Sequence, residues 1–296
     1  MTTTQDERWT VVGVDGSPEA VAAARWATLE TRRRGGALRL VAVVDQLDGH
    51  VVGLPALGLR LTEIGLESAA RNLDAAEAAV RALAPELEVD RVVLTGFPIG
   101  ALVAESRRAG LLVVGGTGNG RVAAILAGSV AAGAAAHAEC PVVIVRGDEH
   151  AGAQPAPIVV GVDATGSSES AIAFAFEAAA TREVPLLAVH TWASPPADLR
   201  TAPIWSDWEA EAERELAERL AGWGEKYPDV PVRRIVGRSR PATTLLELAE
   251  KAQLVVVGSR GHGELAGLVL GSVSNAVVHR SACPVAVVRP GRQSAR

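Results

Sequence analysis

Short apolar runs alternate along this chain with longer stretches whose apolar residues recur at helical spacing. Residues 10–15 (TVVGVD) predict a first strand that ends in a carboxylate. Gly16 opens a turn, Ser17 suits the N-cap, and Pro18 fits the first helical position. Ala20, Ala23, Ala24, Ala27 and Leu29 follow at helical spacing. Arg32, Arg33 and Arg34 complement the negative end of that helix, and Gly35-Gly36 stop it. Residues 38–44 predict a second strand, then a loop from 45 to about 61 and a long helix over 63–83. A third strand is expected over 89–94, a helix over 99–108 and a fourth strand over 111–114. After a glycine-rich loop come a small-residue helix from 129 to about 137 and a last strand over 141–146. Strand–helix alternation of this kind predicts a parallel, doubly wound sheet.

The pattern then starts again. Residues 158–163 (IVVGVD) match 10–15, and 186–192 match the second strand. Residues 208–223 read as a helix with Glu209, Glu211, Glu213 and Glu215 in its first turns. Its apolar face is expected to carry Trp208, Ala212, Leu216, Leu220 and Trp223, with Trp205 and Trp208 packing. Segments 232–236, 241–251, 254–257 and 284–289 complete the second copy. Residues 147–157, polar and proline-bearing, read as a linker. The expected architecture is α/β: two tandem Rossmann-like domains, each a doubly wound, five-stranded parallel sheet, related by internal duplication. The boundaries are 1–147 for the first domain, 148–157 for the linker, 158–291 for the second and 292–296 for a tail.

The copies agree best at one frame. Gly115, Gly118, Gly120, Gly128 and Ser129 fall without a gap on Gly258, Gly261, Gly263, Gly271 and Ser272, giving G-x-x-G, nine residues, G-S. From Gly115 and from Gly258, 12 of 32 positions are identical, which a duplication explains most simply. Each frame follows an apolar run and leads into a helix. Glycines there let the main chain approach a ligand closely, and N–H groups at a helix start attract an anion. Ser272 suits either a helix cap or a hydroxyl donor to phosphate. Strand one ends at Asp15 or Asp163, beside strand four in a doubly wound sheet. A carboxylate repels phosphate, so it is expected to meet ribose hydroxyls or a base.

This paired frame resembles the nucleotide-binding signature of the universal stress protein family, and the resemblance covers nearly the whole chain in two copies. In the ATP-binding type, the strand-one Asp and the main chain of strand two hold adenosine, and the glycine frame holds ribose and phosphates. The resemblance implies a first site of Gly13, Asp15, Val43, Gly115, Gly118, Gly120, Arg121, Gly128, Ser129 and Val130. It implies a second of Gly161, Asp163, Thr191, Gly258, Arg260, Gly261, Gly263, Gly271, Ser272 and Val273. Its cofactor would be ATP, with Mg²⁺ able to arrive alongside. It further implies pairing of the two halves through their final strands, with a homodimer among the assemblies it allows. The second copy fits the signature better, since Arg260 stands in its loop where the first has Thr117, with Arg121 four residues on as a substitute.

Composition narrows the alternatives. A formal charge of −5 and scarce aromatics provide neither a basic surface nor a stacking platform for nucleic acid. No apolar run reaches the roughly 18 residues of a membrane span. The polar, acidic MTTTQDERWT is unlike a secretion signal, so a cytoplasmic location is expected. Cys140 and Cys283 each precede a proline at equivalent positions and read as buried structural thiols. The six histidines have no metal-ligand spacing. The only lysines, Lys226 and Lys251, lie outside the glycine frames, which excludes a Walker loop, and no G-x-G-x-x-G follows strand one.

Three functions stay open at this point. The first is a regulatory ATP-binding protein read by a partner in stress signalling. The second is a slow ATP hydrolase or phosphotransferase using His262 or Glu264. The third is a dimerisation scaffold with vestigial pockets.

Overall fold

A computed structural model describes residues 8–45, 55–116, 128–146, 156–163, 168–192, 204–259 and 270–290, with backbone alone for 55–59 and 204–207. The chain divides between Ala151 and Gly152 into two compact units. In the first, the order is β1 (Trp9–Val14), α1 (Pro18–Arg34), β2 (Ala37–Val44), α2 (Pro55–Leu83), β3 (Val89–Thr95), α3 (Pro98–Ser106), β4 (Leu111–Gly115), α4 (Ser129–His137) and β5 (Val142–Val145). The second repeats it as β6 (Ile158–Gly161), α5 (Glu169–Arg182), β7 (Leu186–Trp192), α6 (Ile204–Lys226), β8 (Val232–Arg238), α7 (Pro241–Ala249), β9 (Leu254–Gly258), α8 (Ser272–Arg280) and β10 (Val285–Val288).

Each unit has its own parallel sheet, ordered β3-β2-β1-β4-β5 in the first and β8-β7-β6-β9-β10 in the second. From β1 the chain winds outward through β2 and β3, then returns to β4 on the other side of β1. Right-handed crossovers therefore put α1 and α2 on one face and α3 and α4 on the other. The central strands are buried on both faces; Val11, Val12, Leu112 and Val113 are at most 1% exposed. That explains why they read as unbroken apolar runs rather than alternating ones. Helix α1 seats close to the sheet because its inner side is alanine: Ala20, Ala23, Ala24 and Ala27 are all buried.

Two helices differ from the pattern-based expectation. Helix α2 begins at Pro55 rather than at residue 63. Its glycines argue for loop by propensity, at about 1 kcal/mol each. At Gly65, however, a Cβ would lie 2.6 Å from Val44 Cγ1, so packing against β2 requires glycine within the helix. Helix α6 starts at Ile204, and Trp208 is 53% exposed instead of packed. Its buried face starts later, with Leu216 and Leu220. Helical spacing tells which face a residue occupies, but not how far along the helix the sheet extends. The side chain of Trp205 lies outside the described residues.

Cys140 and Cys283 are buried free thiols. Burial pushes their pKa values up, to about 12 for Cys140 and about 11 for Cys283, which keeps both protonated and inert. No described helix is long and apolar enough to cross a membrane.

Candidate functional site

The switch in strand order lies between β1 and β4 in the first unit and between β6 and β9 in the second. Ligands of doubly wound sheets sit beyond the carboxyl ends of the strands at such a switch. The register shows what stands there. Val14 pairs with Ala42, and Val12 with Val113; carried one residue past the first pair and three past the second, the register brings Gly116, Asp15 and Val43 into one row. In the second unit Gly161 pairs with Val189, and Val160 with Val256, so the same row is Ser259, Asp163 and Thr191. Thus the strand-one carboxylate, the predicted strand-two residue and the mouth of the glycine loop meet at one sheet edge in both copies.

The face of that row is set by two glycines. A Cβ on Gly13 would lie 3.1 Å from Leu102 Cδ1 of α3, and one on Gly161 would lie 3.1 Å from Leu245 Cδ1 of α7. These glycines let α3 and α7 close onto the sheet. They place the row on the face that α3 and α4, or α7 and α8, cover.

Both carboxylates have local work. Asp15 Oδ1 accepts hydrogen bonds from the Ser17 amide at 2.9 Å and from the Ser17 hydroxyl at 2.6 Å. Ser17 Oγ in turn accepts the Ala20 amide at 3.1 Å and caps α1. In the second unit Ser168 Oγ donates to Asp163 Oδ1 at 2.7 Å and accepts the Asp163 amide at 2.9 Å. Asp15 thus holds the turn into α1 while itself exposed, and Asp163 is tied to Ser168, the residue before α5.

The glycine loops are pinched at their bases by the same bonds. The Gly128 amide donates to the Gly116 carbonyl at 2.8 Å, and the Gly271 amide to the Ser259 carbonyl at 3.0 Å. Gly116 and Ser259 also donate their amides to Val145 and Val288 at 2.7 and 2.9 Å. At Gly115 a Cβ would sit 2.9 Å from the Glu19 carbonyl carbon and 3.1 Å from the Ala20 nitrogen, so only glycine lets α1 start this close to the end of β4. The N-caps of α4 and α8 are Gly128 and Gly271, which offer no capping oxygen. Ser129 and Ser272 are therefore first helical residues, not caps, and both are exposed together with half-exposed Val130 and Val273. A helix start of this kind leaves N–H groups available to an anion. Gly118, Gly120, Arg121, Arg260, Gly261 and Gly263 lie outside the described residues, as do His262 and Glu264.

The copies differ in what fills the row. Thr191 is 9% exposed and Ser259 is 3% exposed, and neither side-chain hydroxyl has a hydrogen-bond partner among the described residues. Nearby, Trp192 Nε1 is a further buried donor without a hydrogen-bond partner among the described residues, and His190 Nδ1 lies 2.9 Å from the Val162 carbonyl. That carbonyl can only accept, so Nδ1 carries the proton when the ring is neutral. The first unit has Val43 opposite Thr191, and Gly116 opposite Ser259. The Arg146 side chain lies against Gly116 where a Cβ would otherwise project, and burial lowers its pKa. Ser274 Oγ of α8 donates to the Gly258 carbonyl at 2.5 Å, whereas its counterpart is Ala131. Sequence reasoning passed over Ser168, Ser259, Ser274 and Arg146. Aligning the copies past the glycines does put Ser259 opposite Gly116, but burial without a partner has no sequence signal. Among the described residues no three His, Cys, Asp or Glu side chains cluster as metal ligands would.

Comparison with known proteins agrees with the duplication. The family model described as Universal stress protein family matches residues 10–146 and again 156–289. Universal stress protein Rv2005c of Mycobacterium tuberculosis is 40% identical over 287 residues, covering 94% of this chain and 96% of that one. The crystal structure of a universal stress protein from Archaeoglobus fulgidus DSM 4304 is 19% identical, covers 96% of this chain and 99% of its own, and superposes with a TM-score of 0.69. A universal stress protein crystallised in complex with cAMP is 31% identical and covers 45% of this chain and 97% of its own, with a TM-score of 0.36.

Proposed function

This chain belongs to the universal stress protein family, and from that premise we propose that it is an ATP-binding regulatory protein with one adenine-nucleotide site in each unit. The observation that carries the reading is the repeated edge: an aspartate, a pinched glycine loop and a helix start without a capping side chain meet at the switch point of both sheets. The donor set fits a nucleotide. Main-chain N–H groups at Ser129 and Val130, or at Ser272 and Val273, would take phosphate oxygens, aided by the serine hydroxyls and by Arg121 or Arg260 from the loops. Asp15 or Asp163, with the main chain at Val43 or Thr191, would take the nucleoside. The carboxylate lies one strand away from the phosphate-binding helix start, which keeps like charges apart. Mg²⁺ would arrive on the nucleotide, since no protein ligand cluster is required for it. Occupancy would then bias a surface read by a protein partner, in the cytoplasm and in a homodimer or a monomer alike.

Two measurements test this. Mass spectrometry of small molecules released by heating the freshly purified chain should detect an adenine nucleotide. Titration with Mg-ATP should reach up to two nucleotides per chain and raise the melting temperature; saturation at about 100 times Kd corresponds to about 2.7 kcal/mol. No released nucleotide, together with no thermal shift at millimolar ATP, would overturn the reading.

A further inference from the structure

Buried hydroxyls without partners are rare in folded proteins, because leaving one unsatisfied costs stability that nothing in the fold returns. Among the described residues Thr191 Oγ1 and Ser259 Oγ are two such atoms, and the register carried to the ends of the strands puts them in one row on either side of Asp163. The first unit keeps the row and removes both hydroxyls, by Val43 and Gly116. We infer that the second unit reads its ligand through these two side chains, so that the two halves bind the same nucleotide with unequal affinity. This inference rests on the adenine-nucleotide reading above.

The two hydroxyls meet different parts of the ligand. Ser259 sits at the mouth of the glycine loop, where its own carbonyl accepts the Gly271 amide at the start of α8. Its hydroxyl is therefore beside the anion-attracting helix end and suits a phosphate oxygen as donor. Thr191 stands level with Asp163 on the opposite neighbouring strand, away from the loop. Its hydroxyl suits the nucleoside, where it can donate or accept. Ser274 holds the first turn of α8 onto Gly258, which fixes the distance between the helix start and Ser259. In the first unit Arg146 packs across Gly116 instead, filling the space that the Ser259 side chain takes in the second.

The test uses the full chain, with ATP and adenosine titrated calorimetrically and hydrogen exchange assigning protection to each unit. Thr191→Val and Ser259→Ala each delete an unpartnered hydroxyl with little change in shape, so neither variant should melt below the parent. Wild type should bind ATP in two affinity classes, the tighter protecting β7 and α8. Thr191→Val should weaken that class about tenfold for both ATP and adenosine. Ser259→Ala should weaken it about tenfold for ATP and leave adenosine within twofold. If wild type binds ATP but both variants bind it within twofold of the parent, the hydroxyls are not read and the inference falls while the nucleotide reading stands. Weakening confined to the first unit, or equal loss of adenosine and ATP in Ser259→Ala, would also overturn it. Absence of ATP binding to wild type would defeat the underlying reading itself.

Discussion

Ser17→Ala should weaken the first unit more than an average helix cap does. Ser17 is 2% exposed and its hydroxyl serves twice, accepting the Ala20 amide at 3.1 Å and donating to Asp15 Oδ1 at 2.6 Å. Losing the cap costs about 1 kcal/mol. The charge-assisted bond is worth about 1.5 kcal/mol, the low end of its range because Asp15 is exposed and water takes the vacated place. The expected total is about 2.5 kcal/mol, or a fall in melting temperature of roughly 5–10 °C for a unit of this size. Asp15→Ala removes the other end of the same bond and also the acceptor of the Ser17 amide. The double variant should therefore lose about 1–1.5 kcal/mol less than the sum of the singles. Urea unfolding with hydrogen exchange read on the α1 amides isolates this unit from its neighbour. A loss below about 0.5 kcal/mol for Ser17→Ala, or an additive cycle, would refute the coupling. The experiment also separates two meanings of a binding defect in Asp15→Ala: lost ligand contact, or a loosened start of α1 that Ser17→Ala reproduces.

Two further outcomes follow from buried groups. The Cys140 and Cys283 thiols keep their protons when folded, with pKa values of about 12 and about 11 against 9.0 for the free group, and so stability should fall as pH rises above 9. The slope is at most about 1.4 kcal/mol per pH unit for each thiol; urea midpoints flat from pH 8 to 10.5, or a slope that survives Cys140→Ala with Cys283→Ala, would refute it. Arg34→Ala should cost about 2–4 kcal/mol, because Glu30, with its side chain 1% exposed, loses the guanidinium 2.7 Å away, for which Arg33 at 3.9 Å is a weaker substitute. Replacing Glu30 by leucine and Arg34 by methionine together should restore most of that loss, as read by urea denaturation, and a restoration below half would refute the ion-pair account.

The duplicated α/β plan was legible along the chain, because strand and helix patterns are periodic and local. Buried parallel strands require unbroken apolar runs, helices require apolar residues every three to four positions, and turns require Gly, Ser and Pro at fixed places. TVVGVDGSP therefore predicted β1, its turn and the start of α1 nearly to the residue, and repetition of the glycine frame pointed to the edge that carries the candidate site. Tertiary structure alone decided what depends on neighbours distant in the chain. Val44 makes glycine acceptable inside α2, and the extent of the sheet leaves Trp208 in solvent although its helical face is the buried one. The parallel register sets Thr191 and Ser259 on either side of Asp163, where they are buried without hydrogen-bond partners among the described residues. A serine or threonine in a strand looks the same in sequence whether or not packing leaves it a partner, because satisfaction of a hydroxyl is a property of the three-dimensional neighbourhood and not of spacing along the chain.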